Sequence, residues 1–397
     1  MMGNILVKNI GMLATPQGKT AKKGAEQGQI QILKDAWVLV KDGVIDSVGT
    51  GAAPAAPDAE VIDAQGNLVT PGLVDAHTHL IFGGWRQNEL GMKLHGKTYL
   101  EIQNAGGGIQ STTNATRQAT EEELTEKAAK ALKEMMGFGV TTVEAKSGYG
   151  LATEHELKAL RVIKDLNDTM PMDVVATFMG AHLVPAEYKN NRAEYIRLVC
   201  EEMMPKVKEQ GIAKFCDVFC EADTFTVEES RQVLEAGLKY GLRPKIHADE
   251  IEAIGGEHLI VCPPEGIASM AKGGTIACLL PATSFNLGST FAPARDMVNA
   301  GVAVAMATDF NPGSCPCLNL QFVINLGCLK YKLTPEEVLT AVTLNGAAAI
   351  DMADQVGSVE AGKKGDLVIW DAPDLDYICY RVGSNLAKTV IKAGKVM

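Results

Sequence analysis

The chain runs to 397 residues, 46% of them apolar and 21% charged, with a formal net charge of −11 at pH 7. That length is enough for one large domain plus a smaller one, and the acidity argues against nucleic acid or an anionic membrane as a partner. No apolar run reaches the length of a bilayer span, Lys8 and nearby glycines break up any signal-peptide core, and nine cysteines without framework spacing point to reduced thiols in a cytoplasm.

Up to about residue 70 the sequence reads as short strands at 5–7, 36–40 and 44–48, the last two joined by the hairpin signal Lys41-Asp42-Gly43. Residues 17–27, rich in Gly, Lys and Gln, predict a mobile loop, and residues 52–59 an Ala/Pro surface loop. The same strand-and-turn pattern returns at 367–370 and 389–395. Residues 1–70 and 351–397 are therefore expected to build one small β-sandwich domain from both chain ends, around a catalytic domain at 71–350.

That middle region alternates strand and helix. Strand candidates end at His79, Lys146, His182, Glu221, His247, His258, Pro281 and Asp309, with amphipathic spacers at 121–136, 154–166, 193–210 and 227–239. Eight such units predict an α/β fold, a (β/α)8 TIM-like barrel whose active site lies where the strands end. One irregularity stands out: only residues 251–256 separate His247-Ala248-Asp249-Glu250 from Glu257-His258. A parallel crossover needs roughly a dozen residues or more. Either this pair is joined abnormally or a segment is missing, and the missing segment is the expectation.

Ionisable residues gather at the strand ends. Asp75-Ala76-His77-Thr78-His79 closes the apolar run 68–74, and histidines at i and i+2 of a strand can each turn one nitrogen toward a single ion. His247 stands at a strand-to-loop junction and Asp309 follows an apolar strand. Alone, the first reads as a packed histidine and the second as a helix cap. Together, three imidazoles and one carboxylate suit zinc or ferrous iron. Such an ion with a water supplies hydroxide near neutral pH and polarises a carbonyl, which favours hydrolysis of an amide-like bond. A two-metal centre usually needs a bridging group, often a carboxylated lysine ending strand four, where this chain has Phe219-Cys220-Glu221; one divalent ion is the expectation. Cys315-Pro316-Cys317 is too close-set for a zinc pair and reads as loop packing. Gly106-Gly107-Gly108 lacks the lysine and hydroxyl of a phosphate loop and reads as a flexible lid. His95 and His155 read as surface residues.

Several motifs carry a resemblance: Asp75-Ala76-His77-Thr78-His79-Leu80-Ile81-Phe82-Gly83-Gly84-Trp85-Arg86, Ala105-Gly106-Gly107-Gly108-Ile109, Glu144-Ala145-Lys146-Ser147-Gly148-Tyr149-Gly150-Leu151, Phe178-Met179-Gly180-Ala181-His182, His247-Ala248-Asp249-Glu250 and Thr308-Asp309-Phe310-Asn311-Pro312-Gly313-Ser314. Over nearly its whole length the chain resembles the amidohydrolase superfamily. The Lys-Ser-Gly-Tyr-Gly and Asp-Phe-Asn-Pro-Gly segments narrow the resemblance to the branch that opens imidazolone rings in histidine degradation.

The resemblance implies hydrolytic opening of 4-imidazolone-5-propionate to N-formimidoyl-L-glutamate, with hydroxide on the ion attacking the ring carbonyl. It implies His77, His79, His247 and Asp309 as metal ligands. Catalytic roles fall to Glu250 at the ring nitrogen and attacking water, His258 at the nucleophile or developing oxyanion, and Asp309 as a proton acceptor. Substrate contacts fall to Arg86, Tyr99, Tyr149, His182, Glu250, Asn311, Gly313 and Ser314. Read from the residues, Glu250 lies three positions past a metal ligand, within range of a proton shuttle's work, and Arg86 after the Gly83-Gly84 turn can grip a propionate bidentately. The expected cofactor is one divalent ion, zinc or iron. The expected partners are a small anionic substrate and, by resemblance alone, a second copy in a homodimer, with no nucleic acid and no membrane. One rival is a nucleobase deaminase of the same superfamily, disfavoured by Arg86 because nucleobases carry no carboxylate. Another is a catalytically silent barrel serving as an assembly protein, disfavoured by the intact ligand set.

Overall fold

The computed structural model describes residues 3–97, 101–102, 105–221, 224–248 and 257–397. The chain opens with β1 (Ile5–Thr15), β2 (Gln31–Lys41) and β3 (Val44–Thr50), antiparallel neighbours in that order. Asp42 and Gly43, at φ 49° and 78°, turn β2 into β3, the pair of positive φ angles that an Asp-Gly hairpin favours. β4 (Glu60–Asp63) and β5 (Leu68–Pro71) then pair in parallel with successive stretches of β1. The segment expected to be a mobile loop is docked instead. Gln27 is buried, accepts from the Val304 amide at 3.0 Å and donates to the Glu337 carbonyl at 3.2 Å.

Gly72 carries the chain from this sheet into the barrel. A Cβ there would meet Thr141 Oγ1 at 2.2 Å, so only glycine lets the two layers come this close. The barrel strands are β6 (Leu73–Asp75), β7 (Val140–Lys146), β8 (Asp173–Ala181), β9 (Phe215–Phe219), β10 (Arg243–Ala248), β11 (Glu257–His258), β12 (Ile276–Leu279) and β13 (Ala303–Met306). The first six form one parallel sheet, and β12 pairs with β13. A bridge between Thr78 and Phe310 joins the two pieces, with Asp309 N donating to His77 O at 3.0 Å and His79 N to Phe310 O at 2.9 Å.

Some strand limits differ from expectation. The β6 ladder stops at Asp75, not His79. Beyond it, single hydrogen bonds to β7 and to residues 309–310 hold the extended chain. β9 stops at Phe219, short of Glu221. β11 has two residues, because His258 and Leu259 take φ of 72° and 54° and turn the chain out of the sheet. The helix expected at 193–210 is interrupted by a wide π turn, Leu198–Met203, that ends beside Pro205, which has no N–H to continue the ladder.

β10 and β11 pair directly, His247 with Glu257 and Ala248 with His258. Residues 249–256, outside the described residues, are thus all that joins them, fewer than a helical crossover ordinarily takes.

Amphipathic helices face the barrel: α1 (Glu121–Gly137), α2 (Thr153–Thr169) and α3 (Val227–Lys239). On α1, Leu124, Ala128, Ala131, Leu132 and Met135 recur at helical spacing and are buried. Thr120 caps it: its hydroxyl accepts from Glu123 N while Glu123 reaches back to Thr120 N. Thr120→Ala removes half of this box and should lower unfolding free energy by roughly 0.5–2 kcal/mol in a urea titration.

The C-terminal strands complete the first sheet. β14 (Leu367–Trp370) runs antiparallel to β5, followed by β15 (Ala387–Lys392) and β16 (Lys395–Val396). The small β domain expected from both chain ends is present, its strands hydrogen-bonded into one sheet in which Val7, Ile10, Leu13, Val38, Val69, Leu367, Ile369 and Ile391 share one apolar core. Trp370, fully buried, donates its indole N–H to Thr70 Oγ1 at 2.9 Å. Across the seam to the barrel, Lys392 binds Asp173 of β8 and Asp366 at 2.5 and 2.6 Å.

Candidate metal centre and substrate pocket

Parallel strands point their C-terminal ends to one rim, and His77, His79, His247 and Asp309 meet there. All four are buried, none more than 4% exposed. His77 Nε2 and His79 Nε2 each stand 3.5 Å from Asp309 Oδ1, and His247 Nε2 stands 3.2 Å from His79 Nε2. A tetrahedral ion with bonds of about 2.0–2.1 Å has ligand atoms roughly 3.3–3.4 Å apart. The donors of His77, His79 and Asp309 have the spacing of ligands to one such ion, and His247 joins them through His79. Among the described residues His77 Nε2 and Asp309 Oδ1 have no hydrogen-bond partner, and buried polar atoms left this way ask for one. Asp309 is itself held at φ 56°, outside the ordinary range for an aspartate, and its other oxygen accepts from Thr283 Oγ1 at 2.6 Å. Asp75, beneath the pair, binds the Thr308 amide and hydroxyl at 3.0 and 2.6 Å, and burial pushes its pKa up to about 6.

His258, His182 and Tyr149 surround this point. The His258 ring lies 5.8 Å from His77 and 5.4 Å from His247. His182 stacks on His79 at 4.9 Å, and Tyr149 lies 5.1 Å from His182. Burial drives the pKa of His258 down to about 4 and that of His182 down to about 3. Both rings are therefore neutral at pH 7. His182 Nδ1 faces the Gly148 carbonyl at 2.9 Å, so that nitrogen carries the proton and Nε2 is left as an acceptor.

Arg86 and the 311–315 loop form a second group beside the first. Trp85 packs edge to face on Phe82 and on Phe310, and the three rings tie the two segments together. Buried Arg86 sets Nε 3.3 Å from Glu89 Oε1, and its guanidinium lies so near Gly313 that a Cβ there would meet Nη2 at 1.5 Å. Asn311 spends its amide on its own loop: Oδ1 accepts from Gly313 N and Ser314 N at 2.9 and 2.7 Å, while Nδ2 donates to Asp309 O and Ser314 Oγ at 2.8 Å each. It shapes the loop that carries Asp309. Glu250 and Tyr99 lie outside the described residues. The glycines read as a lid lead into a helix, Gly108–Gln118, whose first amide donates to Glu89 Oε1 at 2.7 Å.

Sequence reasoning missed a buried charge cluster directly below the centre. Lys146 Nζ donates to Glu144 Oε1 and Asp217 Oδ2 at 2.8 and 2.7 Å and stands 3.6 Å from Glu257 Oε2. Lys245 lies 3.5 Å from both Glu144 and Glu257. Asp217 Oδ1 sits 3.1 Å from His247 Nδ1, and Glu257 Oε2 sits 3.0 Å from His77 Nδ1. Burial alone would lower the pKa of Lys146, but Asp217, Glu144 and Glu257 hold it well above the ordinary value. A signal did exist. Glu144 and Lys146 on β7, then Lys245 and His247 on β10, stand two residues apart, the spacing of side chains that point into a barrel.

Comparison with known proteins adds kinship. Sequence patterns of the Amidohydrolase family match residues 228–397 and 60–98. The imidazolonepropionase of Alkaliphilus metalliredigens (strain QYMF) is 49% identical over 100% of this chain and 98% of its own length. That of Alkaliphilus oremlandii (strain OhILAs) is 48% identical over 99% and 98%. The first alignment runs over 415 positions, more than this chain has, so the relative carries residues that this chain lacks. Among solved structures, atrazine chlorohydrolase from Arthrobacter aurescens TC1 complexed with zinc superposes with a TM-score of 0.73 at 19% identity, covering 99% of this chain and 94% of that one. At that identity the likeness is one of fold.

Proposed function

The chain belongs to the imidazolonepropionase family of amidohydrolases, and from that premise we propose how its side chains open the imidazolone ring. The enzyme hydrolyses the cyclic amide of 4-imidazolone-5-propionate to give N-formimidoyl-L-glutamate. His77, His79, His247 and Asp309 would hold one divalent ion, zinc or iron, which when bound acts as a Lewis acid and brings water into its reactive form near neutral pH. The observation that carries this reading is the cluster of buried donors, with His77 and His79 Nε2 each 3.5 Å from Asp309 Oδ1 and His247 Nε2 3.2 Å from His79 Nε2.

The remaining residues bind and move protons. Arg86 receives the propionate, since its guanidinium is already oriented by Glu89 and shaped against Gly313. His182 accepts a ring N–H at Nε2, its other nitrogen being committed to Gly148. Neutral His258 donates to the carbonyl oxygen as negative charge gathers there. Asp309 takes a proton from the attacking water, and Glu250, placed here from sequence alone, passes one to the departing ring nitrogen. Tyr149 packs beside His182. Nine cysteines without a disulfide among them support a reducing, cytoplasmic setting, and a homodimer remains the assembly to be tested by light scattering.

One assay decides between this reading and deamination. The purified protein is incubated with imidazolonepropionate and, separately, with guanine. Formation of N-formimidoyl-L-glutamate from the first and no ammonia from the second is expected; ammonia from guanine with an intact imidazolone ring would reverse the assignment. Metal analysis of the active protein settles zinc against iron.

A further inference from the structure

The charge cluster under the metal ligands has no part in the chemistry described so far. It is also costly to bury, and an apolar set of similar volume would stabilise the fold as well or better. What such a cluster supplies is direction. Asp217 on β9 and Glu257 on β11 reach Nδ1 of His247 and His77 from below, at 3.1 and 3.0 Å. The Asp217 carboxylate hydrogen-bonds His247 Nδ1, which fixes the proton there and leaves the Nε2 lone pair for the ion; Glu257 stands in ion-pair range of His77 Nδ1 without hydrogen-bond geometry. Both carboxylates in turn converge on one ammonium: Lys146 Nζ lies 2.7 Å from Asp217 and 3.6 Å from Glu257. Lys146 is fully buried at the end of β7, and Glu144, two residues back, holds its third side at 2.8 Å. Without that ammonium the two anions, both beside His247 Nδ1 at 3.1 and 3.6 Å, would repel and swing away from the rings they orient.

We propose that Lys146, Asp217 and Glu257 act as one positioning unit that aims His247 at the metal and holds an anion beside His77. In this role the three act through the rings they orient. The unit spans β7, β9 and β11, so it also clamps the two-residue strand β11 to the sheet although only residues 249–256 connect it to β10. The inference rests on reading the site as a metal centre.

The test measures metal affinity, not turnover. Wild type, Lys146→Met, Asp217→Asn and the double variant are stripped with a chelator, checked for fold by circular dichroism, and titrated with Zn²⁺ against a chromogenic competitor. Each single variant should bind zinc about 10- to 100-fold more weakly. The double variant should be no weaker than the worse single one, because a unit broken at one point has little left to lose at another. A folded single variant within about threefold of wild type overturns the proposal, as does a double variant whose loss is the product of the single losses. If Lys146→Met does not fold, Asp217→Asn alone decides, and unchanged affinity refutes the unit. A wild type with no zinc affinity would instead end the reading of the site as a metal centre.

Discussion

Replacing His247 with alanine should reduce kcat by roughly three orders of magnitude or more and leave the purified protein without its stoichiometric ion. Lewis-acid assistance of this kind contributes several kcal/mol to the transition state, and each 1.36 kcal/mol is about tenfold in rate. The loss has two parts. His247 Nε2 faces His79 Nε2 at 3.2 Å, so its removal opens one corner of the donor set. Its Nδ1 partner Asp217 is left as a buried anion without an imidazole, which adds repulsion near the cluster. Circular dichroism and metal analysis accompany the assay, so that an unfolded variant is not mistaken for an inactive one. Turnover at the wild-type rate in a folded, metal-free variant would refute the catalytic site itself.

Arg86→Met should lower kcat/KM about 30- to 1000-fold, with most of the change in KM. Charge-assisted hydrogen bonds of a bidentate guanidinium–carboxylate pair are worth about 1.5–3 kcal/mol each, of which some is recovered by water. The propionate is remote from the bond that breaks, so it is held alike in ground state and transition state, and uniform binding appears in KM. Folding should survive the change, because Glu89 keeps its bond to the Gly108 amide at 2.7 Å. The sharper readout is a substrate whose propionate is replaced by the neutral carboxamide. Wild type should disfavour it strongly and Arg86→Met hardly at all. Equal discrimination by both proteins would remove Arg86 from the carboxylate's path.

The barrel, and the gathering of His77, His79, His247 and Asp309 at its rim, were legible because strand ends are written locally: an apolar run, then His or Asp, then a turn. The Asp-Gly hairpin and α3 were legible for the same reason. What escaped was whatever depends on closure. Lys146 looked like one charged residue at the end of a strand, and only the approach of β9 and β11 gives it Asp217 and Glu257 as partners. Asn311 looked like a substrate contact, and its Asn-Pro-Gly context turned its amide back onto its own loop. The π turn before Pro205 was signalled by the proline, but the helical period on either side concealed it.

The pairing of β5 with β14 has a bearing on biosynthesis. A ribosome releases β5 long before the partner strand exists, and some three hundred residues of barrel must emerge in between. Throughout translation one flank of β5 therefore stays unzipped, an invitation to sticky edge-to-edge association. Nascent chains that stall before Leu367 should accumulate as aggregates or on chaperones, while release of the last thirty residues lets the two ends lock together.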